Sequence, residues 1–80
     1  MTRYRVPVAD PLLAERDSWQ PAEGFRLVSV DGPWPTQPGV TICTFEDDNA
    51  PPELEGQLVE PVLRRDGGTV TVIDRRVVPA

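Results

Sequence analysis

The first strand candidate is marked by alternation of apolar and polar side chains. Residues 3–8 read RYRVPV, so Tyr4, Val6 and Val8 share one face and the two arginines share the other. Successive side chains of a β-strand point to opposite faces, and this period-two pattern is typical of a strand buried on one face. The spacing therefore predicts a strand over residues 3–8 whose apolar face contacts the core.

Four further segments are short and rich in β-branched and aromatic residues, with proline or glycine between them, as expected of strands joined by tight loops. In one of them Val40 and Ile42 share a face, while Cys43 and Phe45 share the other. A strand that is apolar on both faces is expected at the centre of a sheet or as a stave of a barrel. The four segments are residues 25–30, 40–45, 58–64 and 69–78.

The last two segments are predicted to form a β-hairpin. They are joined by Arg-Asp-Gly-Gly, and an Asp-Gly pair favours a tight turn because both residues can adopt positive φ. A turn centred on the Asp-Gly pair would place Arg75 opposite Leu58. The arginine pairs at 64–65 and 75–76 would then lie about 33 Å apart, too far for a single basic patch.

A short helix is predicted near residues 11–18. Asp10 is a residue type favoured at the N-cap, and Pro11 is favoured at the first helical position. The leucines that follow, with Trp19, would supply the buried side of this helix. A helix of about two turns is not stable alone, so it would depend on packing against the strands.

Proline is frequent, with ten among 80 residues. Because proline fixes φ and donates no hydrogen bond, it is confined to loops, strand edges and bulges. Pro61 therefore predicts that its strand lies at an edge or carries a bulge. The pattern as a whole predicts a single mainly β domain over residues 1–80, a small five-stranded barrel or sandwich with one short helix, with a two-layer α+β fold as the alternative.

The charge is concentrated in the middle of the chain. The net charge is −5, and residues 27–63 carry seven acids and no base. Such a field repels phosphate backbones and attracts basic surfaces, which disfavours nucleic acid and favours a basic protein partner or self-association. No run of about 20 apolar residues and no signal-like start is present, which predicts no membrane contact. The single cysteine is typical of a reducing cytoplasm.

The sequence lacks the usual residues of catalytic and metal sites. There is no histidine and no lysine, and the glycines form no nucleotide-binding motif. One cysteine can form neither an internal disulfide nor, without histidine, the usual tetrahedral zinc site. Cys43 lies in mid-strand and is predicted to be a buried, unreactive thiol. We therefore expect no catalytic residues, no metal and no cofactor.

Two features are candidates for partner binding. Trp34 lies between two prolines that stiffen its backbone, which suits an aromatic interface anchor, although a cap on a small core is the competing interpretation. The second feature is an acidic segment that would steer a basic partner. The carboxylate and amide oxygens at the start of this segment could also bind calcium. The segment lacks the EF-hand pattern, however, so a solvated loop is the favoured interpretation. The predicted partner-binding residues are Trp34, Glu46, Asp47, Asp48, Glu53 and Glu55.

These observations favour a non-enzymatic, small acidic protein-interaction module of accessory, inhibitory or assembly type. A structural subunit of a virion or multi-protein assembly is the alternative, because a domain of this size buries a modest core and is often stabilised by association. An enzyme that uses only carboxylates is the least favoured class, since its sign would be a cleft that holds two carboxylates, one with a raised pKa.

Overall fold

The computed structural model describes residues 1–20 and 22–79. Five strands are present in this part of the chain, together with one short α-helix and two 3₁₀ turns, which confirms the mainly β prediction. The strands form two separate sheets and do not close into a barrel. The elements are β1 (Thr2–Ala9), α1 (Asp10–Ala14), a 3₁₀ turn (Arg16–Ser18), β2 (Phe25–Pro33), β3 (Val40–Asp47), a 3₁₀ turn (Pro52–Leu54), β4 (Val59–Asp66) and β5 (Thr69–Val77).

The first sheet has the strand order β1-β3-β2, with both pairs antiparallel. The central place of β3 confirms the prediction made from its two apolar faces. The register sets Tyr4 opposite Phe45 and Val6 opposite Cys43, and all four side chains are buried. The period-two pattern of β1 thus places its apolar residues in the core, as its sequence predicts.

The second sheet is the predicted β4–β5 hairpin, but the predicted register is wrong. Its turn is Gly67-Gly68, and Arg75 lies opposite Pro61 rather than Leu58. Gly67 has a φ of 59°, which glycine adopts without the steric cost that an aspartate would incur. The later turn accounts for two residues of the shift, and a bulge between Val62 and Leu63 accounts for the third.

This register also corrects the predicted separation of the arginine pairs. Pro61, which faces Arg75, lies three positions before Arg64, which is about 10 Å along the strand. The predicted separation of about 33 Å is wrong for a second reason, because it counted ten residues between the pairs, whereas Leu58 and Arg64 are only six positions apart. The pairs still form no common patch, because Arg64 bonds Asp66 and Arg75 bonds the buried Asp47. Pro61 itself fits its prediction, since it lies next to the bulge in a strand whose only strand partner among the described residues is β5.

The helix is shorter than the predicted span, and its cap differs. Ala9 occupies the N-cap and makes no side-chain cap bond, while Asp10 is the first helical residue. The Asp10 carboxylate instead accepts a hydrogen bond from the Thr41 hydroxyl at 2.6 Å, which ties the helix start to β3. The segment beyond the helix turns as a 3₁₀ element and brings Trp19 against the core.

Backbone hydrogen bonds join the two sheets along the first half of β1. The Arg5 N–H donates to the Gln57 carbonyl at 2.8 Å, and Arg5 and Leu58 form a parallel bridge. In a parallel ladder, alternate residues of one strand bond to both neighbours of the facing residue, so the next two N–H donors would come from positions 7 and 61. Both positions are proline, which has no N–H. The ladder cannot continue, and β1 and β4 diverge.

A second contact lies at the other end of the opening. Ala22 and Val70 form an isolated parallel bridge, which holds the tip of the hairpin against the segment before β2. The divergence of β1 and β4 is therefore framed by the Arg5–Leu58 bridge at one end and by the Ala22–Val70 bridge at the other. This frame positions the candidate site.

Candidate functional site: an apolar cleft and a buried ion pair

The opening between β1 and β4 leads into a cleft of about 490 Å³. This volume lies within the range of roughly 300–1,000 Å³ that is usual for small-ligand pockets. Its walls are the inner faces of both sheets, with Val6 and Val8 from β1, Leu27 from β2 and Leu63 from β4. The cleft is mainly apolar and is continuous with the core of the domain.

Aromatic rings form the deep side of the cleft. Phe25 and Phe45 stack with centroids 4.7 Å apart and a 6° interplanar angle, and Trp19 stacks on Phe45 at 6.3 Å. The indole N–H of Trp19 donates to the Leu12 carbonyl at 3.1 Å, which fixes the ring at the end of the helical segment. Buried aromatic rings with fixed orientations offer a rigid surface to an apolar ligand.

Two leucines lie on the cleft wall and remain open to solvent. Leu12 is 51% exposed and Leu63 is 49% exposed, and both line the cleft. Leu12 comes from α1 and Leu63 from β4, so two different elements each contribute one exposed leucine. Exposed leucines bordering an apolar cavity are typical of a surface that binds another molecule.

Four polar side chains complete the lining: Gln20, Arg26, Glu60 and Arg65. Arg26 is held by Glu46 and, at 3.3 Å, by Asp48. Arg65 and Glu60 make no ion pair among the described residues. Alternation along β4 puts Arg65 on the same side as Pro61 and Leu63, towards the cleft interior, and puts Glu60 on the opposite side. The cleft therefore has one uncommitted positive group in its inner row.

A buried carboxylate lies at the opposite end of the sheet from the helix. Asp47 is 1% exposed; it accepts bonds from the Tyr4 hydroxyl at 2.7 Å and from the Arg75 guanidinium at 2.6 and 3.0 Å. The Asn49 N–H adds a bond at 3.0 Å. Burial raises the pKa of Asp47, but these hydrogen bonds, led by Arg75, outweigh it and leave the pKa below its ordinary value.

The cluster also affects its partners. Burial, with the adjacent Asp47 carboxylate, raises the pKa of the Tyr4 hydroxyl well above its ordinary value, so the phenol remains a hydrogen-bond donor. Arg75 joins β5 to β3 through this pair, and a bidentate guanidinium–carboxylate pair is both directional and strong. The cluster is thus a structural tie between the two sheets.

Glu46 is also occupied by internal contacts. It points to the other face of β3, where it accepts a bond from Arg3 at 3.0 Å and one from Arg26. The Arg3 bond, with help from Arg26, holds the pKa of Glu46 below its ordinary value despite partial burial. Two of the six predicted partner-binding residues, Glu46 and Asp47, are therefore buried and ion-paired within the chain, and the exposed Asp48 also pairs with Arg26.

The remaining predicted residues are placed differently. Asp48, Glu53 and Glu55 are exposed after β3, and Glu55 accepts the Arg3 backbone N–H at 3.2 Å. Trp34 is half-buried and follows β2 directly, and its backbone N–H donates to the Val40 carbonyl at 2.9 Å. Trp34 is not among the described residues that pack against the core, whereas Trp19 is. None of these four residues lines the apolar cleft among the residues described.

Cys43 does not line the cleft. Cys43 is fully buried, and burial raises the pKa of its thiol. No cluster of three or more metal-ligating side chains occurs within residues 1–20 and 22–79. Among the same residues, no helix is both long and apolar enough to cross a membrane.

Sequence reasoning missed the cleft and the buried ion pair, although signals for both exist. Asp47 is two residues beyond Phe45, so continued alternation would have placed it on the inner face. Pro7 and Pro61 each lie inside a strand, and a proline within a strand implies an edge that cannot pair fully. The sequence alone does not predict that the edges of β1 and β4 that carry these prolines face each other.

Comparisons of the chain with protein-family models, with curated proteins and with solved structures find no match. The functional proposal therefore rests on the geometry of the chain itself.

Proposed function

We propose that this chain is a non-enzymatic binding module that receives an apolar group of its ligand in the cleft between β1 and β4. The observation that carries the proposal is the cleft itself: 490 Å³ of mainly apolar space, entered between two strands that diverge at Pro7 and Pro61. Because protein interiors are normally close-packed, an apolar space of this volume that stays open supports a role in ligand binding.

The nature of the opening favours a ligand that needs no backbone pairing. A peptide strand inserted between β1 and β4 would need donors along both edges. Pro7 and Pro61 remove one donor from each edge, which is a device that blunts strand addition. The side chains along the opening are apolar, so a ligand would bind through burial of apolar surface rather than through backbone hydrogen bonds.

The test is a titration with the neutral apolar fluorophore N-phenyl-1-naphthylamine, whose emission rises in an apolar site. Wild-type protein should enhance emission saturably at one probe per chain. Leu63→Asp places a charge on the cleft wall and should abolish most of the enhancement. Ile73→Asp is the matched control, because Ile73 is 54% exposed on the same hairpin and does not line the cleft.

Equal enhancement by both variants would contradict the proposal, because the probe would then be bound elsewhere. Both substitutions are at exposed positions, so each folded state can be verified by circular dichroism before titration. Loss of enhancement in Leu63→Asp alone, at unchanged melting temperature, supports the cleft as the site.

A second candidate is electrostatic docking of a basic protein partner on the acidic segment. The supporting observation is that Asp48, Glu53 and Glu55 are exposed. A variant with these three residues changed to lysine should lose a captured partner that the wild type retains at low salt. The matched control changes the exposed residues Glu15, Asp17 and Glu23 to lysine, which alters net charge equally. Loss of the partner in both variants would indicate a general charge effect and remove the assignment to this segment.

A further inference from the structure

We infer that the ligand of the cleft is an elongated amphiphile with an apolar body and a single carboxylate, and that Arg65 binds this carboxylate. This inference rests on the proposed function and adds the chemical class of the ligand.

The first support is the distribution of charge around the cleft. Of its two lining arginines, Arg26 is already held by Glu46 and Asp48, while Arg65 makes no ion pair among the described residues. The neighbouring Arg64 bonds Asp66 at 2.6 Å on the other side of β4. Arg65 is therefore the guanidinium that a ligand can engage without displacing an internal carboxylate.

The second support is the order of residues along β4. Pro61, Leu63 and Arg65 follow one another on the side that faces the cleft. From Pro61 to Arg65 the strand spans about 13 Å. An extended apolar body lying along this row would contact the proline and leucine and would present its end to the guanidinium.

The third support is a second polar group at the same end of the cleft. Gln20 lines the cleft, and its side-chain amide lies beside Gly68 in the hairpin turn. The turn begins two residues after Arg65, so Gln20 and Arg65 belong to the same end. A carboxylate there can accept bonds from a guanidinium and an amide together, which is a charge-assisted arrangement.

Glu60 is a weaker candidate for binding a cationic group than Arg65 is for binding a carboxylate. It lies on the opposite face of β4, where the register sets it across from Arg76. Although Glu60 also lines the cleft, it does not belong to the row formed by Pro61, Leu63 and Arg65 along which the apolar body would lie. The charges around the cleft therefore favour a ligand whose carboxylate lies at the tip of the β4–β5 hairpin.

The experiment compares three probes of equal chain length, decanoate, decanol and decylamine, with the two ionic probes below their micelle concentrations and decanol below its solubility limit. The readout is Trp19 fluorescence in a Trp34→Phe background, because Trp19 lines the cleft and Trp34 does not. Decanoate should bind most tightly. Arg65→Gln should weaken decanoate binding about tenfold, which is the effect of losing one charge-assisted hydrogen bond, and should leave decanol unchanged.

Arg64→Gln is the matched control, because it removes an adjacent arginine whose guanidinium bonds Asp66, and it should leave decanoate binding as in the wild type. Equal affinity for decanoate and decanol, unaffected by Arg65→Gln, would overturn the carboxylate assignment and leave the apolar cleft standing. Tighter binding of decylamine would overturn it in the same way. Failure of all three probes, together with failure of N-phenyl-1-naphthylamine, would overturn both this inference and the proposed function.

Discussion

At the residue scale, the acidic side chain that contributes most to the stability of the domain is a buried one. Asp47 is almost fully buried and bonds both Tyr4 and Arg75. Removing one partner of a buried ion pair leaves the other charge unpaired in a poorly solvated site, which costs more than the pair itself contributes. Asp47 thus differs in role from Asp48, its exposed neighbour in sequence.

Arg75→Ala is therefore expected to destabilise the domain strongly. The unpaired Asp47 carboxylate should lower the free energy of unfolding by about 3 kcal/mol, which corresponds to a fall in melting temperature of about 15 °C for a domain of this size. Arg76→Ala is the control, since Arg76 is 71% exposed and pairs with Asp74 at 3.4 Å, and it should change stability by less than about 0.5 kcal/mol. Thermal unfolding of the two variants measures the difference, and equal losses would contradict the structural role of the buried pair.

Acid should destabilise the domain through the same carboxylates. The pKa of Asp47 lies below its ordinary value, as does the pKa of Asp31, which accepts bonds from Thr44 and Ser29. A group whose pKa is lowered by folding contributes stability above its unfolded pKa and loses it as pH falls through the folded value. Melting temperature should therefore be constant above about pH 5 and should fall steadily below about pH 4.

The Asp47→Asn variant identifies the group responsible. It should be less stable than the wild type at neutral pH, and its stability should depend less steeply on pH in the acid range, because one linked carboxylate is gone. An acid-range slope as steep as that of the wild type would show that Asp47 is not a main contributor.

At the element scale, two prolines decide the shape of the molecule. The next two donors of a β1–β4 ladder fall on Pro7 and Pro61, so pairing ends at the Arg5–Leu58 bridge. The hairpin then crosses the open side of the first sheet and contacts it again through Ala22 and Val70. The cleft exists because the ladder stops between these points.

Changing both prolines to alanine should extend the ladder and narrow the cleft. The new N–H groups at positions 7 and 61 should be protected from hydrogen exchange, and binding of N-phenyl-1-naphthylamine should fall at least severalfold. Pro38→Ala is the control, because Pro38 lies in the exposed loop between β2 and β3, and it should bind as the wild type does. Unprotected amides with unchanged probe binding would show that something other than the prolines keeps the strands apart.

Local sequence patterns predicted the elements better than their arrangement. Tyr4, Val6 and Val8 identify β1 because alternation is a local signal, and the Gly67-Gly68 turn lies within one residue of its predicted place. The register prediction failed mainly because the turn lies one residue later than predicted, which shifts the pairing by two residues. The third residue of the shift comes from the extra residue Ile73 in β5, which has no clear local signature. The Asp47–Arg75 pair joins residues 28 positions apart, so only the packing of the hairpin on the sheet brings them together.

At the scale of the whole molecule, internal pairing reduces the acidic field that the composition suggests. Several of the acids between residues 27 and 63 bond arginines from the flanking regions, as Glu46 does with Arg3 and Asp47 with Arg75. Glu53 and Glu55 remain exposed to a basic partner, as does Asp48 although it pairs with Arg26 at 3.3 Å, and docking of such a partner stays a prediction. Assembly into a larger structure also stays a prediction, and exposed Val28 and Val30 on β2 are its candidate contacts.

The most direct test of the central claim is to map decanoate binding by amide chemical shifts in a ¹⁵N-labelled sample. The account predicts that saturable shifts concentrate on Val6, Val8, Leu27, Leu63 and Arg65, and that the amides of Asp48, Glu53 and Glu55 stay unmoved. Shifts centred on the acidic segment or around Trp34, with the cleft amides unchanged, would contradict the claim that the opening between β1 and β4 is the binding site.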